Sequence, residues 1–335
     1  MQQIELSAYE RRLRADQPLP DSLKSKCRAA LGSTMFLASQ GMAWLAGETS
    51  ILGGEVPTGT METVKKVNKL VRMAHETASV VIIFRPIQDP VFVTWHDAAW
   101  AARKSGSSQG GMVIGMAERR ILHNEKSPVS VIQGSSRKLP RVARSSLSAE
   151  VQMGTITNEE QEYVRLAWHE MCTGQRPSHH NIQDALRATT GTLVTDCKAM
   201  YDSVMRACSA GLGCGGDKRS AIEALAMKQS MTAAQTLLRW VHSEAMAADG
   251  LTKTSAPAVQ TTMQFYTRRE WSLVHDPTFT SAKKRKARGH DILETIESNP
   301  VEAIPMYEDD DPETDYEIEA EYARFAGVSS SRRGR

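Results

Sequence analysis

Between residues 22 and 84, apolar side chains recur at three- and four-residue steps. They are Leu31, Met35, Ala38, Met42 and Leu45, then Val64, Val67, Leu70, Val71 and Ala74. That period predicts two amphipathic helices, with Gly53, Gly54, Pro57 and Gly59 marking the break between them. Val80–Phe84 is a short β-branched run that Pro86 and Pro90 stop.

From Val91 the period changes. Val91, Phe92, Val93 and Trp95 predict a buried strand ending at Asp97, and Gly110–Ala117 and Val129–Gln133 predict two more. A long helix follows from Ser145 to about Cys172, with Ser146 or Ser148 as its N-cap. Thr192–Asp196 reads as a fourth strand and Thr236–Val241 as a fifth. Helices are expected over Ala199–Ala207 and Asp217–Ser230, and a short one over Ala245–Leu251. Three strands, a helix, then strand–helix–strand–helix describe an α/β fold, a mixed five-stranded sheet flanked by helices with three antiparallel strands leading.

Beyond Lys253 the pattern dissolves. Lys283–Arg288 is a basic block and Glu308–Asp315 an acidic one. Like charges in runs repel and resist packing, which predicts a largely disordered charged tail over 255–335, with a weak helix at Tyr316–Phe325. The basic block also has the composition of a nuclear-localisation signal. The chain thus divides into a charged lead-in (1–21), a helical segment (22–88), an α/β domain (89–254) and the tail.

Composition narrows the class. The 335 residues, 41% of them hydrophobic, can bury a real core, and a formal net charge of +2 does not by itself announce a nucleic-acid binder. Five cysteines at scattered spacing argue against a secreted disulfide framework and for a reducing compartment. Cys208 and Cys214, with His179 and His180 upstream, match no zinc-ligand spacing. Met1–Arg14 is charged rather than signal-like, and no apolar run has the ~18 residues of a membrane span. A soluble intracellular protein, cytoplasmic or nuclear, is expected.

Four acids carry the candidate chemistry. Asp97 ends the first strand and Asp196 the fourth, so neighbouring strands would put both carboxylates on one rim. Glu150 lies near the start of the long helix and Asp249 in the closing short helix. Converging carboxylates repel unless cations neutralise them, and magnesium prefers hard oxygen ligands. Two such ions ~4 Å apart can activate water and stabilise the leaving oxygen of a phosphodiester. Taken singly, each acid also reads as an ordinary turn, cap or helix-start residue.

At these residues the chain resembles the ribonuclease H domain at the C-terminal end of copia-type retrotransposon polyproteins. The matching pieces are Asp97 with Ala98–Ala102, the turn Ser105–Gly111, the segment Arg137–Glu150 (RKLPRVARSSLSAE), Asp196-Cys197-Lys198, and Ala248-Asp249-Gly250-Leu251-Thr252-Lys253. Residues 27–84 are more faintly similar to the segment joining the reverse transcriptase thumb to that domain. The resemblance implies magnesium-dependent cleavage of the RNA strand of an RNA–DNA hybrid, with manganese as a substitute metal. It makes Asp97, Glu150, Asp196 and Asp249 the catalytic, metal-binding acids, and the polymerase portion of the parent polyprotein a partner. The chain departs from the family at Val151, where a Tyr is usual, at Cys197-Lys198, and at Lys218-Arg219-Ser220-Ala221-Ile222, which replaces a Lys-His-Ile element.

Arg137, Lys138, Arg141 and Arg144 precede the long helix, and Arg103 and Lys104 follow the first acid. Such cations would neutralise phosphates beside an acidic pocket, with a solvated loop as the bland alternative. His242 could assist product release, though a satisfied structural histidine is the plainer reading. Trp95, Trp100, Trp168 and Trp240 read as core or half-buried packing residues. Tyr307-Glu308-Asp309-Asp310 mimics a polymerase signature but lacks flanking apolar strands. An active nuclease is the leading reading, and a catalytically inactive remnant or binding module on the same fold is the alternative. An integrating nuclease on that fold comes third, because such sites usually use three acids at different spacing.

Overall fold

A computed structural model describes residues 2–206, 217–268 and 270–273. Cys208 and Cys214, which match no zinc-ligand spacing, the basic and acidic blocks and the weak helix expected at 316–325 lie outside these residues. The helical segment forms three helices rather than two: α1 (Asp21–Ser39), α2 (Ala46–Glu55) and α3 (Met61–Glu76). Gly53 and Gly54 end up inside α2, and the break comes at the 3-10 turn Val56–Thr58, where Pro57 cannot continue the backbone ladder. Thr60 and Thr63 then cap α3 reciprocally. The Val80–Phe84 run joins no sheet. Arg85 just beyond it is tied to Ser130, whose hydroxyl accepts from the Arg85 N–H at 2.9 Å.

The sheet begins with β1 (Pro90–Ala99), β2 (Gln109–Glu118) and β3 (Ser127–Lys138), paired antiparallel in sequence order. Next come α4 (Ser146–Thr173), α5 (Ile182–Arg187), β4 (Gly191–Thr195), α6 (Lys198–Arg206), α7 (Lys218–Ala233), β5 (Thr236–Trp240), α8 (Ala256–Thr267) and β6 (Glu270–Trp271). β4 lies parallel to β1 and β5 parallel to β4, giving the order β5-β4-β1-β2-β3-β6. The sheet is therefore mixed and six-stranded, where five strands were expected.

The extra strand and α8 correct the first part of the stretch 255–335 that was expected to be a largely disordered tail. Within α8, Ala258, Val259, Thr262, Met263, Phe265 and Tyr266 are buried. Small and hydroxyl-bearing residues weaken its apolar signature, so the charged blocks downstream dominate any sequence reading of this stretch. The closing helix expected over Ala245–Leu251 is instead two 3-10 turns, Ser243–Ala245 and Asp249–Leu251.

The two faces of β1 follow the strand's period of two. Toward α4, Phe92 stacks edge-on with Trp168, Thr94 Oγ1 accepts from Gln161 at 2.7 Å, and His96 meets Met200 at 3.4 Å. Toward α8, Trp95 packs on Phe265, their ring centroids 4.7 Å apart. The α4 side closes over Val151, Leu193, Met200, Val204, Ala224 and Met227. Trp95 and Trp240 are core residues and Trp168 is half-buried, but Trp100 is exposed and donates its indole N–H to the Ala143 carbonyl at 3.0 Å.

α4 is fixed by polar contacts as well as by packing. Ser145, not Ser146 or Ser148, is its N-cap, accepting from the Ser148 N–H at 3.1 Å. Gln161 also donates to the Thr192 carbonyl at 2.9 Å. Arg165, fully buried, donates to the carbonyls of Thr189 (2.9 Å), Ala234 (2.8 Å) and Leu186 and to the Thr236 hydroxyl (2.8 Å). These bonds span α4, β4 and the approaches to both parallel strands. They set where the N-terminal end of α4 meets the rim of the sheet.

The N-terminal helices pack against the same assembly. Gly47 of α2 abuts the Asp249–Leu251 turn so closely that a Cβ there would stand 2.6 Å from the Gly250 carbonyl oxygen. Among the described residues no helix is long and apolar enough to cross a membrane.

Candidate metal centre

β1 and β4 are parallel neighbours, with Trp95 opposite Val194. Their C-terminal ends consequently emerge side by side, one carrying Asp97 and the other leading into Asp196. The capped end of α4 crosses the same rim and contributes Glu150. Ligand oxygens of Asp97, Glu150 and Asp196 all lie within 4.8 Å of one another. The expected meeting of the two strand-end acids thus occurs, and Glu150 joins them.

Asp249 stands outside this closest cluster and is joined to it by Lys253. The Lys253 ammonium is 2.8 Å from Asp249 Oδ1 and 3.7 Å from Asp97 Oδ2. The Thr252 hydroxyl donates to the same Asp97 oxygen. The turn carrying these residues is anchored by α8: Thr262 Oγ1 accepts from the Gly250 N–H at 3.0 Å and donates to the Ala247 carbonyl at 2.7 Å.

Burial and mutual repulsion shape the site's acidity. Glu150, 6% exposed, is pushed well above the usual carboxylate range by desolvation and then by the charges of Asp97 and Asp196. Burial and the Asp97 charge raise Asp196 to about 6, with Lys253 opposing. The same causes lift Asp249 to about 7. Burial works against the charge on Lys253, but Asp97, Asp249 and Asp196 outweigh it and hold the ammonium above its ordinary range. Burial, and then the charge of Glu150, push the nearby Cys197 thiol up to about 12.

A hard divalent cation fits this donor set. The donors are carboxylate oxygens throughout. Glu150 Oε1 accepts from the Ala98 N–H at 3.4 Å, while its buried Oε2 has no hydrogen-bond partner. A buried carboxylate oxygen left without a donor is costly unless a cation satisfies it. The acidic triad can therefore bind a metal ion.

The basic residues read as phosphate ligands are mostly engaged within the chain. Arg103 donates to Gln109 Oε1 at 2.7 Å and to Ser50 Oγ at 2.6 Å, and Lys104 pairs with Glu55 at 3.1 Å. Arg137 pairs with Glu160 at 3.0 Å and Arg141 with Glu223. Lys138 and Arg144 are exposed. His242 is buried directly after β5. Sequence reasoning gave Thr252 and Lys253 no role, although the four-residue spacing of Asp249 and Lys253 was a usable signal for an ion pair.

Fold and site together define an α/β protein with a candidate metal centre at the rim of a mixed sheet. Comparison of the chain with protein-family models, with curated proteins and with solved structures finds no match.

Proposed function

We propose that this chain is a ribonuclease H-type nuclease of copia-type retrotransposon origin that hydrolyses the RNA strand of RNA–DNA hybrids with magnesium. One observation carries the reading: acids from β1, α4 and β4, far apart in sequence, converge within 4.8 Å at one edge of the sheet. The leading antiparallel trio of strands, followed by two parallel ones, supports the same assignment.

On this reading Asp97, Glu150 and Asp196 would hold one ion, and Asp97 with Asp249 would hold a second. Bound magnesium, or manganese in its place, neutralises the carboxylates and supplies the Lewis acidity that phosphodiester hydrolysis requires. The chain's own contribution is placement. The Ala98 N–H orients one Glu150 oxygen and leaves the other available. The Thr252 hydroxyl orients Asp97, and α8 holds the turn that carries Asp249. Lys138 and Arg144 are exposed cations suited to backbone phosphates, and recognition of the ribose hydroxyl would select the RNA strand. The polymerase portion of a parent polyprotein would be the covalent partner.

The test is cleavage of an end-labelled RNA–DNA hybrid by the full chain in magnesium, beside Glu150→Gln. Cutting of the RNA strand alone, reduced at least ~100-fold in the variant, is the expected result. A variant as active as the parent, or no cutting by either protein, overturns the proposal.

A further inference from the structure

Asp97 has two sets of neighbours. With Glu150 and Asp196 it forms the tight acidic cluster, and through Oδ2 it faces the Lys253 ammonium, which also holds Asp249. The lysine is well fixed at its backbone, since its N–H donates to the Asp249 carbonyl at 2.9 Å and that of Thr252 to the same carbonyl at 3.1 Å. Its side chain is 42% exposed, so the stem can swing into solvent without unpacking the core.

We propose that Lys253 is the resident cation of the Asp97–Asp249 half of the centre. The site then takes a first divalent ion at Asp97, Glu150 and Asp196, and admits a second only as the Lys253 ammonium withdraws. This rests on the metal-dependent reading above.

Formal charge makes the consequence concrete. With all four acids ionised, as ion binding would require, and Lys253 in place, three negative charges stand uncompensated, and one divalent ion reduces these to a single one. A second ion beside an unmoved ammonium would overshoot to positive. With the lysine gone or displaced, two divalent ions neutralise the four acids completely. The buried, unpartnered Glu150 Oε2 points separately to the triad as the first position filled. Lys253 therefore separates the affinities of the two ions, and its withdrawal couples loading of the second ion to motion of a surface side chain.

Manganese titration of the full chain, counting free ion by electron paramagnetic resonance, tests this directly. Wild-type protein should bind one ion tightly and a second at least about tenfold more weakly. Lys253→Met should bind both, with the second tightened about tenfold or more, as expected for removing a unit charge at a contact distance. Lys253→Arg should retain the wild-type pattern. A second ion bound equally by wild type and Lys253→Met overturns the proposal.

Should Lys253→Met fail to fold, acylation of Lys253 in the wild-type protein supplies the answer. The amine should be protected when one ion is bound and reactive at saturating manganese, and unchanged reactivity overturns the displacement. Absence of any bound ion in the wild-type protein would instead overturn the metal centre, and with it both readings.

Discussion

Replacing Asp196 by Asn should stabilise the metal-free protein at pH 8 while weakening its hold on divalent ions. The carboxyl titrates at about 6 instead of its ordinary 3.8, because it is desolvated beside Asp97. At ~1.4 kcal/mol for each pH unit, ionised Asp196 costs the metal-free fold about 3 kcal/mol. The sign follows from proton uptake. Between pH 3.8 and about 6 the folded state holds the Asp196 proton more often than the unfolded chain does. Stability therefore falls as pH rises through that window and is level with respect to this group above it. Asparagine removes the penalty, so the variant should gain about 3 kcal/mol at pH 8 and almost nothing near pH 4. For a domain of this size that gain corresponds to roughly 6–10 °C in Tm. Thermal melts with chelator present, at both pH values, make the measurement. Magnesium at a thousand times its Kd should then reverse the order, since an ion that binds only the folded wild-type protein adds about 4.1 kcal/mol there. An equal gain at both pH values, or none at pH 8, would refute the claim that crowded, desolvated carboxylates strain the metal-free site.

Two other substitutions probe the scaffold that positions the acids. In Gly111→Ala the new Cβ would stand 2.5 Å from Leu251 Cβ and 3.1 Å from Thr252 Cγ2. The turn bearing Asp249 must move, so urea denaturation should show a loss of about 1–3 kcal/mol and manganese titration a weaker second ion. Unaltered ion binding would mean the turn can shift without disturbing the acids. Arg165→Met keeps side-chain length but leaves the Thr189, Leu186 and Ala234 carbonyls without this donor. A loss of about 3 kcal/mol or more is expected on denaturation, and a loss under 1 kcal/mol would show that those carbonyls find other donors.

The sheet's central pattern was legible because its strands are short apolar runs punctuated by polar turns. Most expected strand boundaries fell within two residues of the observed ones, but β3 runs to Lys138, five residues beyond the expected end at Gln133, where its apolar run gives way to Gly134, Ser135 and Ser136. Asp97 and Asp196 could be placed on one rim since one lies near the end of β1 and the other follows β4, and these strands pair in parallel. Glu150 was readable as a residue near a helix start. The rest depended on tertiary context. A helix such as α8, with Thr261, Thr262 and Gln264 interleaved among its buried positions, has no clean apolar stripe, and only its seat against Trp95 and the Asp249 turn makes it a helix of the core. Gly53 and Gly54 look like breakers locally but are accommodated in α2. The basic residues are hard to read for another reason. A cluster of Arg and Lys has the same composition whether it awaits phosphates or already faces Glu55, Glu160 and Glu223. Lys253 lay inside a motif read for its aspartate, and nothing in the spacing alone said that the ammonium would reach Asp97 as well.

The contact of Gly47 with Gly250 bears on where this polypeptide can be cut. A piece trimmed to begin at residue 89 would keep every acid yet lose the helix that backs the Asp249 turn, along with Ser50, which receives hydrogen bonds from Arg103 and Gln109. One ending at residue 254 would discard Thr262 and the aromatic rings that seat Trp95. Expression boundaries drawn around the acids would therefore sever their support from both ends, and the smallest workable fragment should retain α1 to α3 as well as α8.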